Sequence, residues 1–194
     1  MLSRRIFLAA ACALPFARAA RATQITIGQA LVEAARAQIG VTTIYDPAYV
    51  QLGYPMGDIP RERGVCCDVV IRALRDALGA DLQSLVHDDM RANFSHYPKI
   101  WGLSGTDRNI DHRRVPNLRR YFERRGMEQV EGTDYLPGDL VALTVPPNLP
   151  HIAVVSDALG ASCLPMMLHN IGRGAQEEDR LADFPMTGHY RWVV

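Results

Sequence analysis

The spacing of apolar residues changes near the middle of the chain, from a helical period in the first half to strand-type runs in the second. Helices are predicted for residues 27–38, 66–78, 81–94 and 116–125, each with a suitable capping residue, proline or glycine at one end. From Met127 onward, short β-type runs separated by Pro, Gly and Asn predict strands at residues 140–145, 152–156, 166–171 and 190–194. Helices followed by strands are typical of an α+β domain.

The N-terminus has the features of an export signal. Residues 1–5 carry two arginines, residues 6–16 are apolar, and Ala17-Arg18-Ala19 is a small-x-small cleavage site. Residues 3–8, Ser-Arg-Arg-Ile-Phe-Leu, resemble the twin-arginine signal, and the apolar run is too short to span a bilayer. We therefore predict a cleaved twin-arginine signal at residues 1–19 and a bacterial periplasmic location. The alternative is a lipoprotein signal ending at Cys12, whose apolar stretch of about six residues is shorter than usual.

Cleavage after Ala19 leaves about 175 residues, which suits one domain at residues 20–194 with a single core. The signal carries three arginines and no acidic residue, so eighteen basic and twenty-one acidic residues remain in the mature chain. This slightly acidic balance argues against nucleic acid or an anionic membrane surface as a partner. We also expect no transmembrane segment in the mature chain and no cofactor.

Cys66 begins the second predicted helix. A thiol at a helix N-terminus is a candidate nucleophile, because the first-turn N–H groups and the helix dipole stabilise the thiolate. The mature chain keeps Cys66, Cys67 and Cys163, so at least one thiol is unpaired in an oxidising compartment. Two alternatives remain open, namely a buried structural cysteine and a disulfide between Cys163 and one of the other two.

His151 and His169 are the candidate partners of this thiol. His151 lies immediately before the second predicted strand, at its entrance, and His169 lies near the end of the third. Two adjacent strands that each present an imidazole to a helix-start thiol would assemble a Cys–His pair with an orienting third group. We expect no metal site, because the Cys-x2-Cys and His-x3-His spacings of zinc sites are absent.

These motifs resemble those of the NlpC-type cell-wall cysteine peptidases. Residues 66–70 are similar to the Cys-Ser-Gly-Leu-Val helix start of that family, residues 137–141 to its Pro-Gly-Asp-Leu-Val turn, and residues 151–155 to its His-Val-Gly-Ile-Tyr strand. His169 falls where that family places its third polar residue, and Tyr45 falls where it has a tyrosine that lines the cleft. Val65, Cys67 and Asp68 depart from the Asp, Ser and Gly of the family pattern, so the capping of the helix start must differ.

A closer resemblance, over roughly residues 45–191, is to a bacterial family of YijF-like proteins of unknown function. It rests on residues 64–73 (Gly-Val-Cys-Cys-Asp-Val-Val-Ile-Arg-Ala), residues 109–118 (Asn-Ile-Asp-His-Arg-Arg-Val-Pro-Asn-Leu) and residues 169–172 (His-Asn-Ile-Gly). Both resemblances imply a papain-like fold, in which N-terminal helices pack on a small antiparallel sheet.

The hypothesis for function is an exported cysteine hydrolase that cleaves amide bonds, with peptidoglycan peptides as the local substrate. Cys66 would be the nucleophile in preference to Cys67, His151 would be the base and then the acid, and His169 would fix the tautomer of His151. The Cys66 N–H and the Tyr45 hydroxyl would stabilise the oxyanion. The alternative is a non-catalytic papain-like module that binds cell-wall fragments or a protein partner.

Other polar residues of the same motifs are candidates for oxyanion or substrate binding. They are Asp68, Arg72, Asp111, His112 and Asn170. Asp68 and Arg72 are four residues apart on one predicted helix, so an intrahelical ion pair is the expected structural role for both.

Overall fold

Helices occupy the first half of the described chain and strands the second, as the apolar spacing predicted. The computed structural model describes residues 26–132 and 134–193, so the predicted signal at residues 1–19 lies outside the described residues. The helices of the described part are α1 (Ile27–Arg36), α2 (Cys66–Leu78), α3 (Leu82–Ala92) and α4 (Val115–Arg124). Among these residues, no helix has the length and apolar character that crossing a bilayer requires.

Most of the strands form one antiparallel sheet of five strands in the order β6-β5-β4-β3-β7. Their bounds are β3 (Leu140–Val145), β4 (Leu149–Leu159), β5 (Pro165–Asn170), β6 (Ala175–Glu178) and β7 (Met186–Tyr190). Two further short strands, β1 (Ile44–Tyr45) and β2 (Arg63–Gly64), pair in parallel between α1 and α2. The expected α+β class with an antiparallel sheet is therefore confirmed.

The predicted helix ends agree with the structure because local capping determines them. The Thr26 hydroxyl accepts the Gln29 N–H at 3.2 Å before α1, and the Asp81 carboxylate accepts the Gln83 N–H at 3.0 Å before α3. Gly79 ends α2 in the left-handed conformation, at a φ of 68°.

The strand predictions were less accurate. The strand predicted at residues 190–194 is wrong, because β7 ends at Tyr190, and β6 was not predicted at all. The sequence of β6, Ala-Gln-Glu-Glu, has no β-type apolar run. Since β6 is an edge strand, its backbone pairing with β5 forms it, and no local pattern predicts that pairing.

The core lies between the helices and one face of the sheet. Buried side chains of α1, α2 and α4 pack there with alternate residues of the strands, which are Leu140, Ala142, Ile152, Val154 and Leu168. The intervening residues form a smaller cluster with the loop after β6, and they are Val141, Leu143, Ala153, Val155 and Met167. This packing holds α2 against β4 and β5, so it fixes the position of the α2 N-terminus.

The turn before β3 lies directly against α1. A Cβ atom at Gly28 would be 2.0 Å from the Pro137 carbonyl oxygen, and one at Gly138 would be 2.4 Å from the Gly28 Cα. Gly138 also has a φ of 85°, which is strained for other residues. Glycine at both positions therefore permits the close contact between α1 and the sheet.

Arg72 anchors the long segment between α1 and α2. Its guanidinium is fully buried and donates to the Asp58 carboxylate at 2.9 Å, to the Thr42 hydroxyl at 3.0 Å and to the Ile59 carbonyl at 3.2 Å. The predicted Asp68–Arg72 pair is therefore wrong, because Arg72 faces this segment and has Asp58 as its partner. We assign Arg72 a structural role.

Candidate functional site

Cys66 is the first residue of α2 and contacts the start of β4. The residue is 5% exposed, and its thiol interacts with the Cys67 thiol, the His151 ring and the Ile152 N–H. These contacts, with the Cys67 hydrogen bond the largest, hold the pKa of Cys66 well below its usual value although burial opposes them. The same hydrogen bond and burial raise the pKa of Cys67 well above its usual value. Cys66 is therefore the more acidic thiol.

His151, His169 and Glu178 form a row across three adjacent strands. β4 pairs with β5 so that Val154 lies opposite Leu168; one position further along, Ala153 faces His169, and His151 lies two residues from Ala153 on the same side. The register of β5 with β6 places Gln176 opposite His169, and Glu178 again lies two residues away on the same side. Sheet geometry therefore makes the three side chains diagonal neighbours.

Hydrogen bonds along this row determine which ring nitrogens carry protons. The His169 Nε2 lies 3.0 Å from the Glu178 Oε2, and the His151 Nε2 lies 2.9 Å from the His169 Nδ1. Burial and the adjacent His151 ring lower the pKa of His169 to about 4, so this ring is neutral at neutral pH. Because the carboxylate only accepts, His169 is protonated on Nε2 and accepts from His151 on Nδ1. In the neutral His151 ring, Nδ1 is then the nitrogen without a proton.

Glu178 was not among the predicted site residues. Its carboxylate is oriented on one side by His169 and on the other by Arg173, whose Nη2 lies 3.0 Å from the Glu178 Oε1. A signal for Glu178 would have been its strand, β6, which was not predicted because it has no β-type apolar run.

A cleft of about 290 Å³ borders Cys66 and Cys67. Its walls come from the segment after β1, the loop that precedes α4, the N-terminus of α4 and the start of β4. The other lining residues are Tyr45, Pro47, Val65, Ile100, Trp101, Ile110, Arg113, Arg114, Val115, Pro116 and Pro150. A mostly apolar cleft with a few polar groups is typical of a small-ligand site.

Tyr45 is the polar group of this cleft on the β1 side. It is 41% exposed, and burial of its hydroxyl together with the neighbouring Cys66 and Cys67 raises its pKa to about 12. The hydroxyl therefore stays protonated at neutral pH and remains a hydrogen-bond donor beside Cys66.

Asp68 and Arg113 form a buried ion pair behind the cleft. Nε and Nη2 of Arg113 each donate to the Asp68 carboxylate at 2.9 Å, and the same carboxylate accepts the Val65 N–H at 2.7 Å. Asp68 thus caps α2 from within its first turn, because Val65 at the N-cap has no side-chain oxygen that could accept a backbone N–H. The motif at residues 109–118 contained Arg113, but sequence reasoning did not assign it to the site.

The remaining predicted binding residues do not line the cleft. Asn170 donates to the Gly64 carbonyl at 3.0 Å and so connects β5 to the residue before Val65. Asp111 and His112 are buried in the 3-10 turn Asp111–Arg113 that precedes α4. We therefore assign these three side chains to the structural support of the site.

The burial of His112 and His169 makes folding pH dependent. Burial is the main cause that lowers the pKa of both rings to about 4, whereas an unfolded histidine titrates near 6.5. The unfolded chain therefore binds more protons between these values, so stability present above pH 6.5 is lost as the pH falls toward 4. Near pH 5 we expect the free energy of unfolding to fall by about 1.4 kcal/mol per pH unit for each histidine.

Urea unfolding at pH 7, 6 and 5 measures this dependence. In His112→Gln, the slope of the unfolding free energy against pH should be about half of the wild-type slope. His96→Gln, which changes an exposed ring, should leave this slope unchanged. A stability that does not change between pH 7 and pH 5 contradicts the burial of both rings as neutral groups.

The three described cysteines, Cys66, Cys67 and Cys163, are free, so the alternative of a disulfide to Cys163 is not formed. Cys163 is exposed in the loop between β4 and β5, whereas the other two are buried. Among the described residues, no group of three or more His, Cys, Asp or Glu side chains is arranged to hold a metal ion.

Comparison with known proteins shows the family of the chain. The family described as "Domain of unknown function (DUF1287)" matches residues 32–192, which include α2, the cleft and the row of strand residues. "Uncharacterized protein YijF" from Escherichia coli (strain K12) is 52% identical over 174 residues, covering 88% of this chain and 84% of that protein. The expected similarity to YijF-like proteins is therefore confirmed, and the chain belongs to the DUF1287 family.

Proposed function

We propose that this protein is an exported thiol hydrolase that cleaves amide bonds, with peptidoglycan peptides as its substrate. The observation that supports it most is the contact of Cys66 with His151, which continues through His169 to Glu178 beside an open cleft. The signal predicted at residues 1–19 supports export to the periplasm.

A papain-like fold of the NlpC type is part of this proposal. Its support is the order of elements, with α2 packed through its apolar face on an antiparallel sheet. The N-terminus of α2 carries the thiol, and two neighbouring strands of that sheet carry the imidazoles. The NlpC-like motifs at residues 66–70, 137–141 and 151–155 fall on the corresponding helix start, turn and strand.

The reaction would proceed through a covalent thioester. His151 takes the Cys66 proton on Nδ1, the thiolate attacks the amide carbonyl, and the protonated ring returns its proton to the leaving amine. Water then loses a proton to His151 and attacks the thioester, which releases the carboxylic acid product and the Cys66 thiol. His169 and Glu178 keep the His151 ring oriented throughout, because each accepts a hydrogen bond from the ring before it.

Two donors would stabilise the oxyanion of each tetrahedral intermediate. The Cys66 N–H belongs to the first turn of α2, where backbone N–H groups have no intrahelical acceptor. The Tyr45 hydroxyl stays protonated and lines the same cleft. Removing one such donor costs about 2.7–4 kcal/mol of transition-state stabilisation in well-studied hydrolases, so Tyr45→Phe offers a direct check of this assignment.

The rate of thiol alkylation tests the proposal without a known substrate. At mildly acidic pH, iodoacetamide should modify Cys66 at least about tenfold faster than the exposed Cys163, which serves as an internal reference. His151→Ala should abolish this advantage, and His96→Ala should retain it. Peptide mass spectrometry resolves the two cysteines. Equal rates at Cys66 and Cys163 in the wild type contradict a dedicated nucleophile and favour the alternative of a non-catalytic binding module.

A further inference from the structure

The charged side chains that line the cleft are both cationic. Among the described residues, Arg113 and Arg114 line it together with apolar and aromatic groups, and no Asp or Glu does. The two arginines lie on the turn that leads into α4. Their partners decide how much of each charge is available to a ligand.

The hydrogen-bonding capacity of Arg113 is used within the protein. It donates to both Asp68 oxygens at 2.9 Å and to the carbonyls of Asp46 and Ala48 at 3.3 Å. Its charge is therefore compensated by a bidentate carboxylate, and its donors are occupied. Arg113 therefore supports the cleft wall and has few N–H donors free to bind a substrate.

Arg114 is different because its charge is poorly compensated. Its nearest carboxylate oxygen is the Asp111 Oδ1, at 3.6 Å, which is longer than a hydrogen bond. Burial raises the pKa of Asp111 and so disfavours its charged form. The Nη1 of Arg114 is buried and has no hydrogen-bond partner in the described part of the chain. This Nη1 is the atom that faces the Asp111 Oδ1, which also has no hydrogen-bond partner among the described residues, so the long pair satisfies both groups only weakly.

Trp101 holds the Arg114 guanidinium in the cleft. The Arg114 Cζ lies 4.1 Å from the centre of the Trp101 ring, which is a stacking distance. A stacked guanidinium has a defined plane, and its paired N–H groups match the two oxygens of a carboxylate. Trp101 is a half-buried lining residue that packs on Arg114.

We propose that the cleft selects substrates with a carboxylate beside the scissile amide, and that Arg114, stacked on Trp101, is the specificity residue that binds it. The inference rests on the proposed function, because it needs Cys66 as the reacting atom in the same cleft. The apolar residues of the wall, such as Ile110 and Val115, would contact the rest of the substrate.

Iodoacetate and iodoacetamide test this inference because they differ in the carboxylate and react by the same displacement of iodide. The quantity measured is the ratio of the iodoacetate rate to the iodoacetamide rate, at Cys66 and at Cys163 in the same full-length protein. We expect this ratio to be about tenfold higher at Cys66 than at Cys163, because one nearby cation in a partly buried site attracts the carboxylate of iodoacetate. Arg114→Gln should lower the ratio at Cys66 to within about twofold of that at Cys163.

Two further variants make the test specific. Arg114→Lys keeps the charge but not the paired donors, so its ratio should lie between those of the wild type and Arg114→Gln. Arg120→Gln is the matched control, because Arg120 lies on α4, is exposed and pairs with Glu123 outside the cleft. Its ratio should equal that of the wild type.

Two other results would overturn one or both of the proposals. A fast reaction of Cys66 with iodoacetamide, combined with a ratio that Arg114→Gln leaves unchanged, overturns the role of Arg114 and leaves the proposed hydrolase intact. A Cys66 that reacts with neither reagent faster than Cys163 overturns both the hydrolase and the carboxylate site.

Discussion

Cys66→Ala is expected to leave purified muropeptides uncleaved under conditions in which the wild type converts them to products that have gained one water per cleaved bond. The reason is that the proposed reaction forms a bond to the Cys66 sulfur, and no other described thiol contacts an imidazole of the row. In a well-studied hydrolase, loss of the nucleophile or of its base lowers the turnover rate by about 10⁶-fold. His151→Ala should therefore be similarly inactive.

Mass spectrometry of the muropeptides measures this loss, and Cys163→Ala is the matched control because it removes an exposed cysteine far from the row. That variant should cleave at the wild-type rate. Cleavage that survives in Cys66→Ala contradicts the mechanism, whereas cleavage that survives in Cys66→Ala and is lost in Cys67→Ala assigns the nucleophile to Cys67. Circular dichroism shows whether each variant is folded.

Breaking the Asp68–Arg113 pair is expected to have the largest effect on stability. Arg113→Met leaves the Asp68 carboxylate buried without its cation, and removing one partner of a buried pair costs about 3–5 kcal/mol. The free energy of unfolding, measured with urea, should fall by this amount. Because the same carboxylate caps α2 at Val65, the alkylation rate of Cys66 should also fall in the fraction that remains folded.

A double variant separates the lost pair from lost packing. Arg113→Met combined with Asp68→Leu removes both charges, and it should be clearly more stable than Arg113→Met alone. Arg91→Met is the control, since the Arg91–Asp88 pair is exposed and such pairs contribute about 0–1 kcal/mol. An Arg113→Met variant as stable as this control contradicts a buried charge pair at Asp68.

Much of the candidate site was predictable, because the helix that carries Cys66 and the strand that carries His151 are defined by nearby residues in the sequence. Gly79 and the apolar spacing of residues 66–78 defined α2, and Cys66 at its start follows from that helix alone. His151 was predictable in the same way, since it begins a run of β-type residues. His169 was predicted near the end of the third strand, and its ring lies 2.9 Å from that of His151.

The partners of the polar residues were not predictable from local pattern. Spacing along one helix suggested Arg72 for Asp68, but Asp68 pairs with Arg113, which is 45 residues away in the chain. Glu178 was not predicted as a site residue, because its strand forms by pairing with β5 and its own composition does not indicate a strand. Arg114 likewise has no distinctive neighbour in sequence, and its unpaired Nη1 and its stacking on Trp101 exist only in the folded chain.

The sequence by itself determined the α+β order of elements, the helix that begins at Cys66 and a strand with His151 near its start. These features depend on caps, turns and apolar periodicity within a few residues, which act locally. The tertiary structure alone decided that Glu178 ends the hydrogen-bond chain, that Asp68 is neutralised by Arg113 and that Arg114 lines the cleft on Trp101 with only a 3.6 Å ion pair to Asp111 among the described residues. Those outcomes depend on strand register and on which charges are buried together, and both follow from packing between distant segments.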